Sequence, residues 1–377
     1  MSVVSFLAIG FLTITTGFHT DVDSNGSPFD YGLNWSSPHQ EFNLYGYGIL
    51  EAGYQGFSVS ENGFAPHKPQ FQTALLYGRM EYANRLRAVF EADAFDFKRG
   101  YWINGYLSAD LTENHYLKAG RFATTFSTEF RQPKTKSLFI FRYHALSSLN
   151  RIGLAGNGWG IQMSGNLADL KYSFSLTSET PSDLIVMDHA PPEFQARFAY
   201  RFSEDLMYGL SLLYAAGRPE QNLSLSDHSG TLFSSLPVKG TTYGALLESE
   251  WFYGRWHTRS ELFTLRFDES VTDGQPAWYY GSYAELGVHL GSSRSQAKHH
   301  LNGRLEVSQL YSVPDSYSGT SRVYTLVGGH TWHVSSRFTF TSNLILHYAN
   351  PVSQNPDSRY EGEEFSFQLL GTLQILI

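Results

Sequence analysis

Apolar and polar residues alternate with a period of two over most of the chain from Phe42 onward. This is the period of a β-strand with one apolar and one polar face. Most of the alternating segments are 10 to 16 residues long, whereas strands of globular proteins centre on about 5 or 6 residues. A tilted strand that crosses a bilayer needs about 9 to 11 residues. Sixteen segments follow this pattern, at 42-57, 71-82, 85-94, 101-111, 115-122, 158-167, 169-179, 193-202, 205-216, 240-253, 255-267, 278-290, 298-311, 320-333, 337-349 and 361-377.

The connections between these segments alternate in length. Short ones lie at 83-84, 112-114, 168, 203-204, 254, 291-297 and 334-336, and long ones at 58-70, 95-100, 123-157, 180-192, 217-239, 268-277, 312-319 and 350-360. Short turns at one rim and long loops at the other are typical of an outer-membrane barrel. We therefore predict an all-β fold, a sixteen-stranded antiparallel transmembrane β-barrel over residues 42-377. Its apolar face meets lipid and its polar face lines a lumen wide enough for water.

Composition narrows the function classes. Charged residues make up 16% of the chain, against about 25% in a typical soluble domain. The mean hydropathy of -0.27 excludes a helical membrane protein. The chain has no cysteine, which excludes a disulfide framework and thiolate metal sites. The formal net charge of -8 argues against nucleic acid as a partner.

The residues before the first long segment divide into two parts. Residues 1-17 are uncharged and mostly apolar, and they resemble the apolar core of a signal peptide. Residues 18-41 are predicted to be a polar periplasmic tail.

The long third loop, 123-157, is basic on an otherwise acidic chain. Its formal charge is +4 against -12 for the other residues, and its one acid is Glu129. We expect the loop to fold inward and form a constriction whose cations attract anions; a solvated surface loop is the alternative. The predicted eyelet cations are Arg131, Lys134, Lys136, Arg142 and Arg151. Weaker candidates for the pore wall, on polar strand faces, are Arg85, Arg87, Arg197, Arg201 and Arg304.

Three stretches around this loop carry a family resemblance. Residues 116-127, 138-142 and 158-165 resemble the phosphate-selective porin O and P family. The resemblance implies a homotrimeric porin in the outer membrane of a Gram-negative bacterium, in contact with its lipid. It also implies passive diffusion of small hydrophilic solutes, with a preference for phosphate-like anions.

Other functions stay open at this stage. A sugar or general-substrate porin, a plugged structural or adhesive barrel and, last, a barrel hydrolase are the alternatives. We predict no enzyme, no catalytic residue and no cofactor. We also predict no metal site, because His330 and His333 are three residues apart and would point to opposite faces of a strand.

Overall fold

The structure is a computed structural model, and its description covers most of the chain from residue 33 onward. The described residues are 33-37, 41-60, 63-65, 68-83, 85-93, 102-131, 139, 143-154, 156-179, 192-226, 232-270, 275-291, 298-312, 319-335, 337-350 and 364-376. The predicted signal-like segment, 1-17, lies outside them.

Within those ranges the chain forms eighteen strands and two short helices. The strands are β1 Leu33–Ser36, β2 Phe42–Ser60, β3 Gly63–Ala65, β4 Lys68–Tyr82, β5 Leu86–Asp93, β6 Trp102–Thr112, β7 His115–Ala123, β8 Asn157–Leu167, β9 Leu170–Glu179, β10 Glu193–Arg201, β11 Leu206–Ser226, β12 Leu232–Tyr253, β13 Trp256–Ser270, β14 Ala277–Leu290, β15 His299–Ser312, β16 Gly319–His333, β17 Phe338–Asn350 and β18 Glu364–Leu376. The helices are α1 Thr128–Arg131 and α2 His144–Arg151. Neither described helix has the length and hydropathy needed to cross a membrane.

Sixteen of the strands, β2 and β4 to β18, form one closed antiparallel sheet. Each pairs with its neighbours in chain order, and β18 closes the circle by pairing with β2. The predicted sixteen-stranded barrel is confirmed. A closed sheet has no free edge, so the hydrogen bonds of its backbone are satisfied between strands, as a bilayer core requires.

The connections alternate between the two rims in the order that the sequence predicted. Those at 83-85, 113-114, 168-169, 202-205, 254-255, 291-298 and 334-337 share one rim, and the others, which include the predicted long loops and the shorter connection at 227-231, share the other. Gly254 shows how tight the short turns are, because its φ of 56° suits the two-residue turn between β12 and β13.

The outer surface of the barrel is apolar and the inner surface is mostly polar. Tyr208, Leu210, Leu212 and Tyr214 on β11 are exposed, whereas Ser211 between them is buried. The apolar face of β11, which the sequence predicts to meet lipid, therefore lies on the outside of the barrel.

Aromatic side chains on the outer surface form two bands. Near the short turns lie Tyr200, Phe202, Tyr208, Trp251, Tyr253, Trp256, Trp332 and Phe338, all exposed. Toward the long loops, Tyr214 lies 5.5 Å from Tyr243, and Tyr324 lies 6.1 Å from Tyr348, between ring centroids. Leucines such as Leu210 and Leu247 fill the space between the bands.

The hairpin of β11 and β12 is longer than the sequence indicated. We expected a loop over 217-239, but both strands continue through most of it. Bulges after Ala215 and Arg218 absorb the irregular stretch, and Gly217 adopts a φ of 60° there. Leu223 then pairs with Leu236, and both are buried, so the extension is held by an apolar contact.

Two small strands lie outside the predicted segments. β1 falls within 18-41, the predicted polar tail, and pairs with β2 through Leu33–Gly46 to Ser36–Asn43. The pairing of β18 with β2 ends at Leu376–Ile49, and β1 pairs with the residues of β2 that come before this point. β3 falls within the predicted loop 58-70 and pairs with the end of β2.

Candidate functional site: the inner surface of the barrel

The segment between β7 and β8 contacts the inner side of the wall. We call its described residues, 124-131, 139 and 143-154, the inner segment. Ser127 Oγ donates a hydrogen bond to Glu261 Oε2 at 2.8 Å, and the Thr128 amide donates to Glu261 Oε1 at 2.8 Å. Thr128 Oγ1 also donates to Glu248. Glu248 and Glu261 alternate with the exposed Leu247 and Leu262, so both carboxylates point inward.

A buried ion network fixes the next residue of the segment. Arg304 Nη1 donates to Glu129 Oε1 at 2.8 Å, and Arg304 Nε lies 2.7 Å from Glu306 Oε1. The amide of Tyr143 donates to both oxygens of Glu129 at 2.8 Å. The guanidinium also lies over the ring of Phe139, 4.5 Å from its centroid. One arginine of β15 therefore joins Glu129 and Phe139 of the inner segment.

Apolar packing completes this contact. Leu146, Leu149 and Ile152 of the inner segment are buried in one cluster with wall residues such as Phe263 and Leu265. Tyr143 Oη also donates to the carbonyl of Val307 at 2.5 Å.

The long hairpin of β11 and β12 holds the far end of the inner segment. Arg218 donates to the carbonyls of Ile152 and Gly153 at 2.5 and 2.9 Å and lies 3.5 Å from Glu193. At the near end, the Thr125 amide donates to Gln195 of β10 at 2.9 Å. We call the inner face of β10 to β17, against which the inner segment packs, the covered wall.

The opposite inner face, on β4 to β7, borders open space, and we call it the open wall. It encloses a cavity of about 480 Å³. The cavity is lined by Tyr77, Arg79, Glu81, Arg87, Val89, Tyr106, Ser108, Tyr116 and Lys118. Three cations and one carboxylate thus border it.

The charges of the open wall are partly paired. Arg87 lies 3.2 Å from Glu81 and 2.7 Å from Asp110, and its side chain keeps 35% exposure. Arg79 lies 3.3 Å from Glu81. Lys118 Nζ lies 4.7 Å from the ring centroid of Tyr106 and 5.1 Å from that of Phe122. Among the residues that the structure describes, Lys118 forms no ion pair.

The structure does not describe the side chains of the five predicted eyelet cations. Lys134, Lys136 and Arg142 lie outside the described residues. Arg131 and Arg151 end helices α1 and α2, so the backbone around them is placed on the inner side. The structure brings this backbone to the covered wall and does not describe where the five charges point.

The weaker candidates separate into three environments. Arg87 borders the cavity. Arg197 and Arg304 are buried in ion pairs on the covered wall, Arg197 with Glu248, so they anchor structure instead of lining open space. Arg85 lies in the turn before β5 and not on a strand face, so its predicted place was wrong. Arg201 is the last residue of β10. Both arginines are exposed at the rim that carries the short turns.

Sequence reasoning missed Arg79 and Lys118 as cavity residues. Both have the inward parity of their strands, as do Tyr77 and Tyr116 two residues before them. The parity of these residues along their strands is the sequence signal that places them on the inner face.

Four histidines form a row on the inner face near the short turns. His257, His289, His300 and His333 come from four successive strands, with ring centroids 5.5, 4.1 and 4.9 Å apart along the row. His289 Nδ1 lies 3.2 Å from His300 Nε2. His330 instead contacts His299 at 3.1 Å on the outer face. Within the described ranges, no three His, Asp or Glu side chains converge on a point that could hold a metal ion.

Comparison with known proteins identifies the architecture. No protein-family model and no curated protein sequence matches the chain. Solved structures do match: OmpT of Vibrio cholerae in its trimer form has a TM-score of 0.62 at 11% identity, over 89% of this chain and 99% of that one. This chain has the fold of the outer-membrane porins.

Two further structures agree. The anion-selective porin of Comamonas acidovorans has a TM-score of 0.61 at 13% identity, over 89% of this chain and all of that one. OmpF of Salmonella typhi has a TM-score of 0.60 at 9% identity, over 92% of this chain and all of that one. At such identities the likeness concerns the fold, so selectivity must be argued from this chain's own residues.

Proposed function

We propose that this protein is a porin of the bacterial outer membrane through which small hydrophilic solutes diffuse passively, with a preference for anions. The observation that carries the proposal is the asymmetric interior. A segment packed against one wall leaves a polar cavity, bordered by three cations and one carboxylate, along the other. No chemical step takes part.

The outer surface supports a place in a membrane. Tyr243 and Tyr253 belong to the two aromatic bands and are both exposed on β12. The ten residue steps between them span about 33 Å along a strand. At the usual tilt of about 40°, this corresponds to about 25 Å of height, the thickness of the apolar band of an outer-membrane barrel.

The distribution of inner charges supports the anion preference. Glu248, Glu261 and Glu306 are buried on the covered wall and bound to the inner segment or to arginine. On the open wall, Arg79, Arg87 and Lys118 border the cavity together with the carboxylate of Glu81, and Arg87 also pairs with Asp110. Carboxylates that are packed between the wall and the inner segment act weakly on passing ions. Cations beside water act more strongly, because the low-dielectric walls focus their field into the lumen.

The basic loop supplies the second half of the proposal. We assign Arg131, Lys134, Lys136, Arg142 and Arg151 to a constriction that faces the open wall across the lumen. An eyelet must hold an anion strongly enough to admit it and weakly enough to release it. The resemblance to the phosphate-selective porin O and P family supports this assignment, phosphate-like substrates and a homotrimer.

One observation favours a second candidate, a sugar channel. Tyr47 of β2 and Tyr77 of the open wall stack with ring centroids 4.9 Å apart and an interplanar angle of 16°, and aromatic stacks suit the flat faces of pyranose rings. A sugar channel would show weak ion selectivity and a conductance that sugars reduce.

The test is the reversal potential of the purified protein in a planar bilayer under a potassium chloride gradient. The variant Arg131→Gln/Lys134→Gln/Lys136→Gln should lower the ratio of chloride to potassium permeability. The matched control Arg85→Gln/Arg255→Gln/Arg337→Gln removes three exposed cations from the short turns and should change the ratio less. If the loop variant keeps the original ratio, these residues do not form the eyelet.

A further inference from the structure

The cavity on the open wall has the size of a ligand site. Its volume of about 480 Å³ lies within the range of about 300 to 1,000 Å³ common for small-molecule sites. Its lining comes from β4 to β7, four neighbouring strands of a closed barrel, so the shape is largely formed before a ligand arrives.

Lys118 is the group of this cavity that lacks an opposite charge. Arg79 and Arg87 are both within 3.3 Å of Glu81, and Arg87 also pairs with Asp110. In the described part of the chain, the ammonium of Lys118 contacts the faces of Tyr106 and Phe122 and no carboxylate. A half-buried cation on aromatic rings is stabilised by an anion, because ring faces replace only part of its hydration.

The rings beside Lys118 add a second requirement. Tyr77, Tyr106 and Tyr116 come from three different strands and line the same cavity. Tyr77 is held by its stack on Tyr47, and Tyr106 by an edge contact with Phe122 at 6.4 Å. Fixed aromatic surfaces favour a flat apolar body through offset or edge-to-face contacts. Inorganic phosphate has no such body.

We propose that this cavity is a binding site for small carboxylates that carry a ring, with the carboxylate on Lys118 and the ring among Tyr77, Tyr106 and Tyr116. This inference rests on the proposed pore, since the ligand reaches the site through the lumen. Ring-bearing carboxylates are then a substrate class of that pore, and Lys118 of the open wall selects them.

Calorimetric titration of the protein in detergent tests the site, with benzoate, acetate and inorganic phosphate as probes. Benzoate should bind about tenfold more tightly than acetate, because only benzoate gains the ring contacts. Lys118→Gln should abolish benzoate binding, whereas Lys118→Arg should retain it. The matched control Lys239→Gln removes a lysine that pairs with Glu269 at 3.0 Å outside the cavity and should bind benzoate as the parent does.

The ring half of the proposal has its own variant. Tyr116→Leu should weaken benzoate and leave acetate unchanged. Equal affinities for benzoate and acetate, or tighter binding of phosphate than of benzoate, would overturn the ligand class. Unchanged benzoate binding in Lys118→Gln would overturn the site.

Conductance separates this inference from the proposed function. A protein that conducts ions but does not bind benzoate contradicts the binding site alone. A protein that binds benzoate through Lys118 but shows no conductance contradicts the proposed porin function and not the binding site.

Discussion

The covered wall and the open wall occupy the same inner surface of one barrel, yet they are built differently. On the covered wall, Glu261 and Arg304 are almost fully buried and bonded to the inner segment. On the open wall, Arg87 pairs with acids while keeping 35% exposure, and Lys118 has only aromatic contacts among described residues. The covered wall is a protein core whose charges fix a segment. The open wall has charges that reach water.

The largest difference should appear when an arginine is removed from each wall. Arg304→Met removes the cation that faces the buried carboxylates of Glu129 and Glu306, and breaking a buried ion pair typically costs about 3 to 5 kcal/mol of unfolding free energy. Arg87→Met removes a half-exposed pair, worth about 0 to 1 kcal/mol. Urea unfolding in detergent measures both. Equal losses would mean that the two walls are not distinct.

The outer surface should not share this asymmetry. Leu210 lies behind the covered wall and Leu117 behind the open wall, with 38% and 39% exposure. Replacing either by arginine near the bilayer midplane should cost about 2 to 4 kcal/mol, because both face lipid. Folding equilibria in lipid vesicles give the two values. A negligible cost at either position would place that face away from lipid.

A smaller effect should come from one hydrogen bond of the inner segment. Ser127→Ala removes a buried bond of 2.8 Å to the carboxylate of Glu261, and bonds to charged groups contribute about 1.5 to 3 kcal/mol. Ser249→Ala removes a hydroxyl pair of the same length between Ser249 and Ser260 on the outer face. This control should lose about 1 kcal/mol or less. A larger loss of unfolding free energy in Ser249→Ala than in Ser127→Ala would mean that the inner segment is not held by this bond.

The sequence predicted the barrel well because strand period and loop length are local properties. The outer face of β11, for example, follows directly from the alternation of Leu210 and Leu212 with polar or small residues. The extension of β11 and β12 was missed because Gly217 and Pro219 indicate a loop. A bulge and the contact of Leu223 with Leu236 outweigh them.

The wall residues were harder to predict, for a different reason. Strand parity predicts which residues lie on the inner face but not what covers them. Arg197, Arg304 and Arg87 were therefore predicted alike as residues of the pore wall. The available signal was a pair of adjacent apolar residues on one strand, as at Leu246–Leu247. Such pairs make both faces apolar, and the inward member, Leu246, is buried with the inner segment. The interior contacts of residues far apart in the chain are not encoded by local periodicity.

Single-cysteine variants measure whether the passage for solutes follows the open wall. The chain has no cysteine, so a thiol reagent reacts only where one is introduced. Arg87→Cys borders the cavity, and Ser211→Cys lies fully buried on the covered wall. In single-channel recordings, a water-soluble methanethiosulfonate should reduce the conductance of the first variant and leave the second unchanged. Block at position 211, or none at position 87, would mean that the passage does not follow the open wall.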